Sequence, residues 1–251
     1  MHFISEHDID AGVTERAFTL GETSGLLWAP SIATPTTPVP LVLLGQPGGI
    51  GMRRMYSRLA ARAHSCAAHG FAAASIELPG AGERPPLHGA AQARTDLLRA
   101  LAAGQRPDDD VIDRLILPLV EAAVPEWQTA LDALLDLPEI GERVGYSGGV
   151  LAIGVRLAAI EPRIVAAGLF AGSYVPRSIM TEARQVTIPV HMLLQWDDEG
   201  NDRQAALDLF DALASPEKTL LANLGGHTGV PPSAGEAAVS FFTRYLGRVG
   251  D

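Results

Sequence analysis

The pentapeptide Gly145-Tyr146-Ser147-Gly148-Gly149 satisfies G-x-S-x-G, a spacing that lets a serine hydroxyl work as a nucleophile. A short apolar run over residues 143–146 precedes it, and Val150, Leu151, Ile153, Val155 and Leu157 follow in a helical segment. A serine on so tight a strand-to-helix turn sits on strained backbone, and the flanking glycines remove side-chain collisions there. Such a turn is expected to lift the Ser147 hydroxyl out of the sheet and aim it at a cleft. The positive end of the following helix would favour negative charge as it develops. A serine hydroxyl remains a poor nucleophile until a base takes its proton. Among seven histidines, His227 has the best setting. Its glycine-rich loop, Leu224-Gly225-Gly226-His227-Thr228-Gly229, follows the last strand candidate, at the carboxyl edge where open α/β sheets build their sites. His64 and His69 lie in a helical pattern, His191 lies in a strand, His88 is in a proline-rich excursion, and His2 and His7 belong to the terminus.

A third group must orient the imidazole and stabilise its cation. Residues 195–202, Gln-Trp-Asp-Asp-Glu-Gly-Asn-Asp, offer four acids behind the strand candidate at 190–194. Asp198 is placed to return over the sheet edge, with Asp197 and Glu199 as alternatives. Asp202 is expected to cap the next helix. An oxyanion hole needs backbone N–H donors beside the nucleophile. Gly148 supplies one. The other should come from residues 45–51, where Pro47 has no N–H, which leaves Gly48 or Gln46, with Gly48 preferred. Serine, acid and histidine thus occur in that order, each behind a different strand, as in α/β-hydrolases.

The elements that must position these residues are legible from period and composition. Apolar runs at 41–44, 71–76, 143–146, 164–170, 190–194 and 218–224 read as strands covered on both faces, the signature of a parallel sheet. Amphipathic segments lie between them. Trp127, Leu131, Leu134 and Leu135 define one, with Pro125 expected in its first turn. Ala238, Phe241, Phe242, Tyr245 and Leu246 define the last. Residues 14–20 and 25–30 read as an antiparallel hairpin, followed by a proline-rich extended stretch at 34–40. The fold class is therefore α/β: a mostly parallel central sheet flanked by helices, with an N-terminal antiparallel hairpin, all in one domain over residues 1–251. Residues 79–121 exceed a simple crossover, and read either as extra helices or as a partial lid. Asp108, Asp109 and Asp110 suit a helix start.

Composition narrows the function classes. The chain has 251 residues, 47% of them apolar, which supports a substantial core. One cysteine, Cys66, cannot form an internal disulfide, and a disulfide-stapled secreted scaffold is excluded. A formal net charge of −10 opposes binding to nucleic acid or an anionic membrane surface. No signal peptide or membrane-spanning run is visible, so a cytoplasmic enzyme is expected. A dinucleotide-binding loop at 45–51 fails because Arg54 stands where glycine is needed. His64, Cys66 and His69 lack metal-ligand spacing. No cofactor and no metal are called for.

Jointly the motifs resemble the α/β-hydrolase superfamily, near its dienelactone-hydrolase-like and small serine-esterase branches. Residues 41–49, Leu-Val-Leu-Leu-Gly-Gln-Pro-Gly-Gly, look like the family's strand and oxyanion loop, with Gln46 in place of the usual histidine. Residues 77–84, Glu-Leu-Pro-Gly-Ala-Gly-Glu-Arg, are similar to its D-x-P-G-x-G-x-R segment, with Glu77 in the aspartate position. Residues 145–149, 188–198 and 225–227 match the nucleophile elbow, acid turn and histidine loop. The resemblance covers residues 38–248. It implies hydrolysis of small or medium carboxylic esters, a small-molecule substrate, through Ser147, Asp198 and His227. The rival expectation is a non-catalytic protein of the same fold that binds a ligand or partner.

Overall fold

The computed structural model describes residues 1–9 and 12–247, and among them nine strands form one sheet. In chain order they are β1 (His2–Ile9), β2 (Val13–Leu20), β3 (Thr23–Pro30), β4 (Val39–Gly45), β5 (Ala72–Ile76), β6 (Ile140–Gly148), β7 (Ile164–Phe170), β8 (Val190–Gln195) and β9 (Lys218–Asn223). Across the sheet the order is β1-β2-β3-β5-β4-β6-β7-β8-β9. The first three strands and the β3–β5 pair are antiparallel. Every pair from β5 to β9 is parallel. The carboxyl ends of β4, β6, β8 and β9 therefore emerge on one edge, and the candidate residues lie at or after these ends.

Period-two alternation explains why both faces are covered. Leu41 and Leu43 of β4 face one core with Tyr146, while Val42 and Leu44 face the other. Helices α3 (Asp109–Leu135), α4 (Leu151–Ile160), α5 (Arg177–Glu182) and α6 (Arg203–Ala212) contribute to the first core, and α1 (Met52–Ala67) and α7 (Pro232–Leu246) close the second. Helix α2 (Ala90–Ala102) buries only Ala93 and packs on α3.

Three features depart from the sequence reading. The hairpin gains a third strand, β1, whose polar sequence HFISEHDI conceals its pairing with β2. Pro125 is not in a first turn, because α3 runs unbroken for 27 residues through Pro118 and Pro125. Its buried stripe of Ile112, Ile116, Leu119, Val120, Ala123, Val124, Trp127 and Leu131 is continuous, and that burial outweighs the two hydrogen bonds the prolines cannot donate. Strand β6 extends through Ser147 to Gly148, past the expected strand end at Tyr146. The turn is carried instead by Gly148 and Gly149, both at φ +73°, a left-handed conformation that glycine adopts without penalty.

Within residues 79–121, α2 packs on α3. The Nη2 of Arg94 on α2 lies 2.7 Å from where a Cβ on Gly49 would stand. Beyond α2, Arg106 pairs with Asp202 at 2.9 Å, the residue that caps α6 by accepting from Ala205 N–H. As expected, Asp108 occupies the cap position of α3, with Asp109 and Asp110 in its first turn.

The turn from α4 into β7 is anchored by Glu161, whose carboxylate accepts from Arg163 Nε and Nη2 at 2.7 and 2.8 Å and from Gln128 of α3 at 3.3 Å. The Arg163 hydrogen bonds hold this carboxyl down to a pKa of about 2. A depressed carboxyl stabilises the fold above its ordinary range, and that stability is lost as pH falls through the folded value. Glu161→Gln should therefore lower Tm at pH 7 by about 2–4 °C, equivalent to roughly 1 kcal/mol. The gap to wild type should close as the pH is taken from about 4.5 towards 2. A gap independent of pH in thermal melts would refute this role.

Candidate active site

Each triad candidate stands at or just behind the end of its own strand. Ser147 pairs with Leu44 of β4 and Gly168 of β7. Packing against α7 leaves no room for a side chain at Gly145 and little at Gly168. A Cβ at Gly145 would lie 2.7 Å from the Phe242 ring of α7, and one at Gly168 would lie 3.2 Å from it. The following turn presses on the loop after β4, since a Cβ on Gly149 would stand 2.7 Å from Gln46 N. Gly48 faces Val150, the residue before α4, and Leu119 of α3. The two segments expected to supply oxyanion donors, Gly148 and Gly48, are thus neighbours.

The loop after β4 is fixed from below. Gln46 is buried, and its side-chain amide donates to Ile76 O at the end of β5. Glu77 accepts from Met52 N–H through both carboxylate oxygens, at 3.0 and 3.1 Å, which seats the first turn of α1. Partial burial raises the Glu77 pKa against that hydrogen bond.

Behind β8 the turn grips the histidine loop. Asp198, only 8% exposed, accepts from His227 Nδ1 at 2.7 Å through Oδ2 and from Gly200 N–H at 3.0 Å through Oδ1. That bond directs the Nδ1 proton to the carboxylate and leaves Nε2 free as an acceptor. Asp197 does different work. Its carboxylate accepts from Gly225 N–H and Gly226 N–H, each at 2.9 Å, and these bonds lower its pKa. Gln195 Nε2 donates to Gly226 O at 2.8 Å, and Trp196 N–H to Asn223 O at 2.7 Å. The imidazole packs edge-on against Phe170, ring centres 5.5 Å apart. Glu199 takes no part in these contacts.

The structure therefore joins Asp198 to His227. It does not hydrogen-bond His227 to Ser147. The Ser147 hydroxyl instead accepts from Arg62 Nη2 of α1 at 3.0 Å. Sequence reasoning does not reach Arg62, although its position three residues after Leu59, beside Ala63 and near Cys66, sets it against the buried stripe of α1. Nor does it reach the loop-binding role of Asp197. Among the described residues there is no group of three or more His, Cys, Asp or Glu side chains able to hold a metal, and no helix is long and apolar enough to cross a membrane.

Solved structures share this architecture over nearly its whole length. A cold-adapted esterase from an Arctic intertidal metagenomic library, in a PEG-bound complex, is 28% identical with a TM-score of 0.76, the match covering 98% of this chain and 100% of that one. The chain has the α/β-hydrolase fold. Two more distant structures show the same fold alone. The acetyl xylan esterase from Paenibacillus sp. R4 is 15% identical, with a TM-score of 0.64 over 98% of this chain and 88% of that one. The Pyrococcus furiosus esterase Pf2001 is 9% identical, with a TM-score of 0.62 over 98% and 93%. No family model and no curated protein matches the chain. Ser147 lies near the end of β6, Asp198 in the turn after β8 and His227 in the loop after β9.

The division of labour between the two adjacent aspartates is testable by amide exchange. Asp197→Ala should speed exchange at Gly225 and Gly226 about tenfold or more, because their acceptor is gone, whereas Asp198→Asn should leave both amides protected. Equal exchange in the two variants would show that Asp197 does not hold the loop.

Proposed function

We propose that this protein is a serine hydrolase that cleaves carboxylic esters of small or medium size through an acyl-enzyme. The observation that carries the reading is the Asp198–His227 pair, held by a doubly clamped loop at the same sheet edge as the G-x-S-x-G turn. The 28%-identical neighbour being an esterase supports the bond class.

The chemistry follows from the groups present. His227 Nε2 takes the Ser147 hydroxyl proton as Oγ attacks the ester carbonyl carbon. The carbonyl π pair moves onto oxygen, where the N–H groups of Gly148 and Gly48 receive it. Collapse of this adduct breaks the bond to the alcohol oxygen, which leaves with the proton from His227. Water then repeats the sequence on the acyl-enzyme, giving the acid and restoring Ser147. Attack requires the Ser147 side chain to turn from Arg62 towards His227, and catalytic hydrogen bonds commonly close only when substrate is bound. Asp198 keeps its charge and stabilises the imidazolium. Residues 79–121 act as a partial cover, with Arg94 over the oxyanion loop and Arg106 tied to Asp202. Thioester, lactone and amide bonds would meet the same groups.

With a p-nitrophenyl ester, Ser147→Ala should abolish turnover and shift Tm by no more than about 1–2 °C, since a single hydroxyl adds little to packing. Asp198→Asn should lower kcat on the order of 10⁴-fold, and His227→Gln by at least as much. Glu199→Gln should stay within about threefold of wild type. A Ser147→Ala enzyme that keeps most of its rate would sink the reading and favour the binding-protein alternative.

A further inference from the structure

Arg62 stands apart from the other half-buried arginines. Arg16, Arg84, Arg156 and Arg163 each face a carboxylate at hydrogen-bond distance. No such ion pair is found for Arg62 among the described residues. Its Nη1 donates to Gly45 O at 3.0 Å, and its Nη2 donates to Ser147 O at 2.6 Å and to Ser147 Oγ at 3.0 Å. Both of its amino groups are thus spent on the ends of two neighbouring strands. A Cβ on Gly148 would stand only 3.0 Å from Nη2, so the turn is folded down onto the guanidinium.

Burying a guanidinium without a carboxylate is costly, and here burial lowers its pKa. Stability alone would be served as well by an apolar side chain. The placement offers something more specific. Gly45 opens the loop that carries Gly48, and Ser147 precedes Gly148. A planar two-pronged donor fixes the separation of these strand ends in a way a point charge cannot. It also sets where the Ser147 hydroxyl starts.

We propose that Arg62 is a positioning residue for ester hydrolysis: it locks the strand ends that present Gly48 and Gly148 to one another and sets the resting direction of the Ser147 hydroxyl. This rests on Ser147 being the nucleophile. A shift of an ångström in either donor weakens transition-state stabilisation more than ground-state binding. Losses should therefore fall on kcat.

The experiment measures kcat, KM and Tm for wild type, Arg62→Met, Arg62→Lys and Arg62→Ala with a p-nitrophenyl ester, the last with and without methylguanidinium. Arg62→Met should lose about 10–100-fold in kcat with KM within about twofold. Arg62→Lys, which keeps the charge but not the fork, should fall between Met and wild type. Methylguanidinium at millimolar concentration should restore part of the Arg62→Ala rate. If Arg62→Met fails to fold, the kcat loss at constant KM in folded Arg62→Lys and the rescue of Arg62→Ala decide the matter. Wild-type kcat in folded Arg62→Met or Arg62→Lys overturns the proposal, as does a loss confined to KM or a loss with no rescue. Wild-type hydrolysis that survives Ser147→Ala is a different failure. It removes the nucleophile reading, and the Arg62 role falls with it.

Discussion

A carboxylate buried at the edge of a parallel sheet must be given donors, and the loops after β8 and β9 are organised around that requirement. Asp198 satisfies it with Gly200 N–H and His227 Nδ1. The pair is only as well placed as the loop carrying His227, and that loop is glycine-rich and exposed. Its backbone is therefore tied down by the side chains around Asp198. Gln195 holds the Gly226 carbonyl, while Asp197 holds the Gly225 and Gly226 amides. One turn orients the imidazole, and the same turn pins its backbone. Because β8 and β9 are adjacent and parallel, with Gln195 opposite Asn223, these contacts need no long reach.

A second constraint is closeness of backbone on the other side of the edge. The loop after β4 and the turn after β6 approach within distances that only glycine permits at Gly149 and Gly45. There the sequence has placed positive-φ residues, a buried glutamine and a guanidinium without an ion pair among the described residues, in a space a few residues wide. Preorganised donors at such a place cost no rearrangement when charge develops on a bound carbonyl. The sheet supplies the frame for both halves of the site. It brings their loops to one edge while the two cores, one on each face, hold the strands in register.

Much of this was legible in the residues, for physical reasons. Strands buried on both faces appear as unbroken apolar runs, so β4 to β8 could be read directly. Turn glycines and the order Ser147, Asp198, His227 put the candidate residues at the ends of particular strands. What escaped depends on long-range contact. Strand β1 is polar, and only its pairing with β2 makes it a strand. Pro125 carries a first-turn signal, yet the buried stripe of α3 overrides it. Spacing favours Asp198 over Asp197 but does not reveal the second task of Asp197, since which carboxylate meets the amides is decided by how the turn folds. Arg62 lies 85 positions from the serine it contacts. Its helix pattern shows that it flanks a buried stripe but not what it meets there.

In the proposed chemistry Ser147 attacks an ester carbonyl with the Asp198–His227 pair as its base. The most direct measurement is mass-spectrometric mapping of the covalent adduct formed with a fluorophosphonate. One adduct per chain is expected, on Ser147, with formation slowed by orders of magnitude in His227→Gln. An unlabelled folded protein, or an adduct on any other residue, would contradict it.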